Sequence, residues 1–175
     1  MPATDFDAWR LEQRRPEVFA RARQRRPDID FVELDTTWIR MRVTGNGPTT
    51  IVFACDPPNV IEQFDELVAL LETDFRVACY EQPGFGFSYP KPAFDFTRPA
   101  YAAALEDLLG TLVGPVVPVA PCISSYAAIE VGRRRPDLVS RLVLMQAPAW
   151  EREREWVSLV ARGFARILAG LAPSE

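Results

Sequence analysis

The sequence contains no histidine among its 175 residues. Histidine is the most frequent metal ligand in proteins and the most frequent general base in enzymes. Its absence removes both from the chemistry that this chain can carry out by itself. We therefore expect neither a metal ion nor another cofactor.

The sequence also lacks long apolar runs and a strong excess of charge. No stretch reaches the roughly 18 apolar residues of a membrane-spanning helix, and the start, MPATDFDAWR, lacks the basic-then-apolar order of a signal peptide. A cytoplasmic protein that does not bind a membrane is the prediction. The net charge of −4 gives no general attraction to nucleic acid. Small-molecule ligands and protein partners stay open.

Cysteine is scarce and odd in number. Cys55, Cys79 and Cys122 lie in or beside apolar runs, which fits reduced thiols better than a disulfide framework or a metal site. With 48% hydrophobic and 25% charged residues, the chain has the composition of one globular domain with a substantial core.

Two kinds of periodicity indicate the fold class. Apolar and polar residues alternate in FVELDTTWIRMRV, residues 31–43, which predicts antiparallel strands with one solvent-facing side. Short apolar runs then alternate with helical patterns, which predicts an α/β domain with a mostly parallel sheet and helices on both faces. The runs are TTIVFAC, FRVACYE, VVPVAPC and LVLMQAP, and the helical patterns cover 61–71, 101–112 and 126–135.

Three regions follow from these patterns. Residues 1–30 are predicted to form a helical extension, and residues 31–150 the α/β core. Residues 151–175 carry apolar side chains at helical spacing and predict an amphipathic helix. This helix would begin a cap or cover an edge of the sheet.

Two segments resemble the α/β-hydrolase superfamily. EQPGFGFSYP, residues 81–90, is similar to the family's D-x-x-G-x-G-x-S loop. Residues 101–148 resemble its helix, nucleophile strand, sharp turn, helix and next strand in unbroken order. The resemblance implies the strand order 1-2-4-3-5-6. It also implies that the family's later strands, which carry the catalytic acid and histidine, are absent from this chain.

The resemblance implies roles for particular residues. APCISS stands where the family has G-H-S-x-G-G, so Cys122 falls on the nucleophile position and Pro121 on the usual histidine. The backbone N–H of Ile123 would be one oxyanion donor. Pro57 aligns with the second donor and has no N–H, so Asp56 would have to replace it. Cys55, Pro57 and Pro121 would line the pocket.

The function stays open among three hypotheses. The first is a degenerate, non-catalytic hydrolase-like protein that binds a ligand or partner, or a truncated gene product. The second is one part of a hydrolase acting on esters or amides, in which Cys122 acts with a base from elsewhere. The third hypothesis is a self-sufficient enzyme in which Glu81 or Asp56 replaces histidine. A chemical role for Cys122 competes with a purely structural role as a small buried residue.

Two structural expectations complete the prediction. Ser124 and Ser125 open a helix, where their hydroxyls are expected to cap free N–H groups. The strand at Leu142–Met145 would form an exposed edge of the sheet. The terminal helix, a second copy in a homodimer or another partner chain could cover it.

Overall fold

The computed structural model describes residues 26, 28–56, 59–147, 155 and 158–159. The predicted helices at both termini lie outside these residues, apart from isolated positions. In the described part, the strands are β1 Ile29–Glu33, β2 Thr37–Thr44, β3 Thr50–Cys55, β4 Arg76–Glu81, β5 Tyr89–Pro90, β6 Val116–Pro121 and β7 Val143–Met145. A 3-10 helix covers Ile61–Phe64, followed by α1 Asp65–Leu71, α2 Arg98–Gly110 and α3 Ser124–Arg134.

The described strands form one mixed sheet in the order β1-β2-β4-β3-β6-β7. The two-residue β5 pairs with β2 beside this path. Without β5 the order is the predicted 1-2-4-3-5-6, and the α/β fold with a mostly parallel sheet is confirmed. Strands β4, β3, β6 and β7 run parallel, whereas β1 and β2 are antiparallel.

Helices cover both faces of the sheet. On one face, Leu108 of α2 and Val131 of α3 pack with Val52 of β3. On the other face, Val68 of α1 packs with the adjacent β3 residue, Phe53, because successive side chains of a strand point to opposite faces. Each such buried apolar side chain contributes about 1.5–3 kcal/mol to stability.

Pro118 is accommodated in the central strand β6 by its orientation. The backbone N–H groups of Val116 and Cys122 both point toward the β7 side, where they donate to the carbonyls of Leu138 and Met145. Backbone direction alternates along a strand, so the nitrogen of Pro118 also faces that side. Pairing between β6 and β7 begins only at Val119, so no ladder bond is lost at Pro118.

The solvent-facing side predicted for β2 is wrong at its centre. Arg40 lies in the alternating pattern as an outward residue, yet it is 1% exposed. Its guanidinium contacts the carboxylates of Glu62 and Glu81. The 3-10 helix that carries Glu62 covers this part of the sheet, which alternation alone cannot reveal.

The loop after β4 closes around the carboxylate of Glu81. Gly86 in this loop has a φ of 56°. A Cβ atom at Gly86 would lie 2.4 Å from Oε2 of Glu81. The loop therefore requires glycine here both for its left-handed backbone and for the space beside the carboxylate.

We expect Gly86→Ala to lower the free energy of unfolding by more than about 1 kcal/mol, because it combines a left-handed backbone with a steric clash. Urea unfolding followed by circular dichroism measures the change. Gly110→Ala is the matched control, since nothing lies within 4 Å of a Cβ at that helical position. Equal unfolding midpoints for the two variants would contradict this account of the loop.

Candidate nucleophile site

Cys122 occupies a sharp turn between a strand and a helix. Strand β6 ends at Pro121, helix α3 begins at Ser124, and Cys122 between them has a φ of 44°. A non-glycine residue in this conformation costs about 1–3 kcal/mol and persists only where its surroundings fix it. The backbone N–H of Cys122 donates to the Met145 carbonyl at 2.9 Å, and its carbonyl accepts from the Ser125 N–H at 3.2 Å. We call this sharp turn between strand β6 and helix α3, residues 121–124, the elbow; its role as a nucleophile elbow stays a prediction.

The two serines after the elbow fix its carbonyls. Ser124 donates its hydroxyl hydrogen to the Pro121 carbonyl, and Ser125 donates to the Cys122 carbonyl. The predicted capping of N–H groups by these hydroxyls is therefore wrong, and helix α3 starts without a side-chain cap. The hydroxyls bond backward because the turn leaves carbonyls of the strand end within their reach.

The strand register brings Asp56 to the level of Cys122. Strands β3 and β6 pair up to Phe53 and Val119, and three residues further along both strands lie Asp56 and Cys122. In the same way, Gln82 directly follows the end of β4, and Gln146 directly follows Met145, the β7 residue that pairs with Pro121. The carboxyl ends of parallel strands are the usual ligand-binding edge of an α/β sheet.

The predicted oxyanion residues lie at this edge. Ile123 directly follows Cys122 at the start of α3, and its side chain is 44% exposed. The carbonyl of Asp56 accepts a hydrogen bond from the Asn59 N–H at 2.9 Å, which closes the turn after β3. Burial raises the pKa of the Asp56 carboxyl. Pro57 lies outside the described residues, so the roles of these residues as donors stay predictions.

The three cysteines differ in accessibility. Cys122 is half-buried, whereas Cys55 and Cys79 are each 1% exposed. Burial raises the pKa of both buried thiols, that of Cys79 to about 12. Cys55 packs in the core with Phe53, and its place in a pocket lining stays a prediction. Pro121, at the strand end, is partly exposed, and its pocket role stays a prediction.

Glu81, a candidate base in the third hypothesis, is enclosed within the protein. Its side chain is fully buried, and its Oε1 accepts from Arg40 Nη1 at 2.6 Å and from the Ile61 N–H at 3.2 Å. Its Oε2 accepts from the Phe87 N–H at 2.6 Å. Removing one partner of a buried ion pair typically costs about 3–5 kcal/mol. These contacts assign Glu81 a structural role.

Arg40 and Glu62 complete this ionic cluster and were not singled out from the sequence. Arg40 binds the Glu62 carboxylate with two hydrogen bonds, of 2.5 and 3.0 Å. Its guanidinium also lies 4.8 Å from the ring centroid of Phe87. The sequence does indicate such a cluster, because Glu81 ends an apolar strand and a buried carboxylate needs a cation beside it.

Within the described residues, no group of three or more histidine, cysteine or carboxylate side chains is arranged to hold a metal ion. Among the same residues, none of the helices is long and apolar enough to cross a membrane.

We expect iodoacetamide to modify native protein at Cys122 alone, because the thiols of Cys55 and Cys79 are buried and have raised pKa values. Peptide mass spectrometry locates the modified residues. Cys122→Ser should leave the native protein unmodified, while unfolding in urea should expose both remaining thiols. Modification of Cys55 or Cys79 at a rate comparable to that of Cys122 would contradict the described packing.

The hydrogen bonds from Arg40 hold the pKa of Glu62 below its ordinary value of 4.5. A lowered pKa in the folded state stabilises the protein above the ordinary value, and this contribution is lost as the pH falls through the folded value. We therefore expect Glu62→Gln to be less stable than the parent at neutral pH and the difference to shrink below pH 4.5. Urea unfolding at several pH values tests this, with exposed Glu66→Gln as the control. A difference that is independent of pH would contradict the assignment.

The chain matches no profile of a known protein family. It is 31% identical over 114 residues to the Karrikin insensitive 2 receptor IA of Petunia hybrida. The alignment covers 62% of this chain and 41% of the receptor. The chain thus spans less than half the length of this relative.

Solved structures share the fold. A putative lipase from Acinetobacter baumannii AYE superposes with a TM-score of 0.62 at 16% identity, over 75% of this chain and 46% of the lipase. A haloalkane dehalogenase variant from Bradyrhizobium elkanii superposes with a TM-score of 0.59 at 21% identity, over 67% and 39% of the two chains. The strand order, the elbow and these superpositions together show that the described core has the α/β-hydrolase fold.

Proposed function

We propose that the 175-residue chain is an α/β-hydrolase-like protein that does not turn over substrate by itself. The observation that carries this proposal is the sealed environment of Glu81, one of the two carboxylates, with Asp56, that could have replaced the missing histidine. Among the described residues, the hydrogen bonds to the Glu81 carboxylate come from Arg40 and from the backbone N–H groups of Ile61 and Phe87. With no histidine in the sequence and Glu81 enclosed, Asp56 is left of the two candidate carboxylates to assist deprotonation of a nucleophile or activation of water.

A second candidate function is that Cys122 accepts an acyl group, with the base for further reaction coming from elsewhere. The strained backbone and partial exposure of Cys122 favour this candidate over a packing role. A thiol is a few per cent thiolate at neutral pH and needs no base for a first, slow attack. Its sulfur would form a bond to the acyl carbon while the alcohol or amine leaves with the bonding electrons. The thiol proton passes to solvent, and the departing oxygen or nitrogen takes up a proton from solvent to become the alcohol or amine.

Esters and amides are the substrate class that this chemistry suggests. Among proteins of similar fold, one is described as a putative lipase and another as a thioesterase domain from the curacin biosynthetic pathway. Both descriptions concern acyl compounds. The chain spans only 46% and 51% of those two proteins.

Release of p-nitrophenol from p-nitrophenyl acetate separates the two candidates. We expect no steady-state turnover above that of Cys122→Ala, because hydrolysis of a thioester needs an activated water. Acyl acceptance predicts an initial burst of at most one p-nitrophenol per chain, absent from Cys122→Ala. Intact-mass measurement should show one added acetyl group, located on Cys122.

Each outcome has a distinct meaning. Sustained turnover that disappears in Cys122→Ala would overturn the proposal that the chain is inactive by itself. A burst of equal size in both proteins would exclude Cys122 as the acceptor. Cys122→Ser is the matched control for shape, since a serine hydroxyl without a base should give no burst.

A further inference from the structure

Arg40 is buried at the centre of β2, a position where an ion is costly. It is 1% exposed, and its partner Glu81 is fully buried. Burying charges in a protein is unfavourable unless good geometry and further hydrogen bonds compensate for the lost hydration. Here the guanidinium bonds to Glu81 and, on its other side, to both oxygens of Glu62. In the cluster of Arg40, Glu62 and Glu81, the one guanidinium thus donates hydrogen bonds to both carboxylates.

The Glu81 carboxylate connects this cluster to two loops. Oε1 accepts from the N–H of Ile61, the first residue of the 3-10 helix, and Oε2 accepts from the N–H of Phe87 in the loop after β4. Arg40 also packs against the ring of Phe87 and donates its backbone N–H to Ser88 Oγ at 2.7 Å. One cation on β2 therefore fixes the carboxylate that holds both loops.

The turn between Cys55 and Ile61 is fixed at its two ends by different means. At the first end, Cys55, the last residue of β3, pairs with Glu81. The Cys55 carbonyl also accepts a hydrogen bond from Gln82 Nε2 at 3.3 Å. The second end is held by the Ile61 bond to Glu81 and by the Glu62 bonds to Arg40. Asp56, at the start of this turn, lies at the register level of Cys122. The Asn59 N–H, two residues before Ile61, donates to the Asp56 carbonyl at 2.9 Å. This bond links the Asp56 backbone to the anchor that Arg40 orients.

We propose that Arg40 is a positioning residue, which holds the turn carrying Asp56 against the elbow through Glu81 and Glu62. Arg40 does not contact a substrate. Its contribution is to the geometry of the turn, and therefore to the oxyanion donor on the Asp56 side. The effect on acylation rests on the proposed acceptance of an acyl group by Cys122, whereas the effect on the turn does not.

The test uses variants that leave no unpaired buried charge. Arg40→Met combined with Glu81→Gln removes the ion pair, and a glutamine oxygen cannot hold the Ile61 and Phe87 N–H groups in the same way. Glu62→Gln removes only the outer, partly exposed carboxylate and keeps the fold testable if the double variant does not fold. Arg135→Met is the matched control, because Arg135 also binds two carboxylates, Glu106 and Asp137, away from the elbow.

The first readout is amide hydrogen exchange by mass spectrometry at native pH. We expect exchange at Ile61 to accelerate at least about tenfold in the double variant and to a smaller extent in Glu62→Gln, because each loses an anchor of the turn. Exchange in β3 and β4, and throughout Arg135→Met, should stay unchanged. Unchanged exchange at Ile61 in a folded double variant and in Glu62→Gln would overturn the proposal, whether or not Cys122 is acylated.

The second readout is the ratio of two reaction rates at Cys122. Acylation by p-nitrophenyl acetate develops an oxyanion, whereas alkylation by iodoacetamide does not. Loss of an oxyanion donor costs about 10²- to 10³-fold in rate, so the ratio of acylation to alkylation should fall by about that factor in the double variant. A purely structural role would change both rates together and would overturn the positioning role in acylation. Absence of a burst in the parent protein would instead refute acyl acceptance, and exchange at Ile61 would still decide the role of Arg40 in the turn.

Discussion

The parallel pairing of β3 with a strand on each side is the constraint on which the site depends. β3 pairs with β4 from Thr50 to Cys55 and with β6 from Thr50 to Phe53. Since parallel strands end at the same edge, this register alone brings the turn after β3 beside the elbow after β6. Helices on both faces then exclude water from the strands. Two segments that are far apart in the sequence thus become neighbours before any polar contact is considered.

Electrostatic interactions between buried side chains add to the arrangement that the strand register produces. A carboxylate inside a sheet is unfavourable without a compensating cation, and Arg40 supplies that cation from the neighbouring antiparallel strand. The cost of burying this pair is offset by bonds that also hold two loops. The same contacts that make Glu81 structurally useful occupy both of its oxygens with donors inside the protein.

Much of the fold could be predicted from the sequence, and less of the site. Short apolar runs alternating with helical patterns specify a parallel sheet, and the sharp transition at APCISS specifies the elbow. The burial of Arg40 could not be predicted, since alternation distinguishes two faces but not what covers them. The direction of the Ser124 and Ser125 hydroxyls depends on which backbone groups the turn leaves unbonded. The burial of Cys55 likewise depends on the packing around the strand end.

The prolines of β6 have a consequence for how the sheet assembles. Pro118 turns its nitrogen toward β7 one residue before that pairing starts, and by the same alternation Pro121 turns its nitrogen toward β3 two residues after that pairing ends. A strand that shifted along β6 would find no donor at these positions. Mispaired arrangements therefore lose a hydrogen bond that the native arrangement never requires. The two prolines thus penalise register slippage during folding.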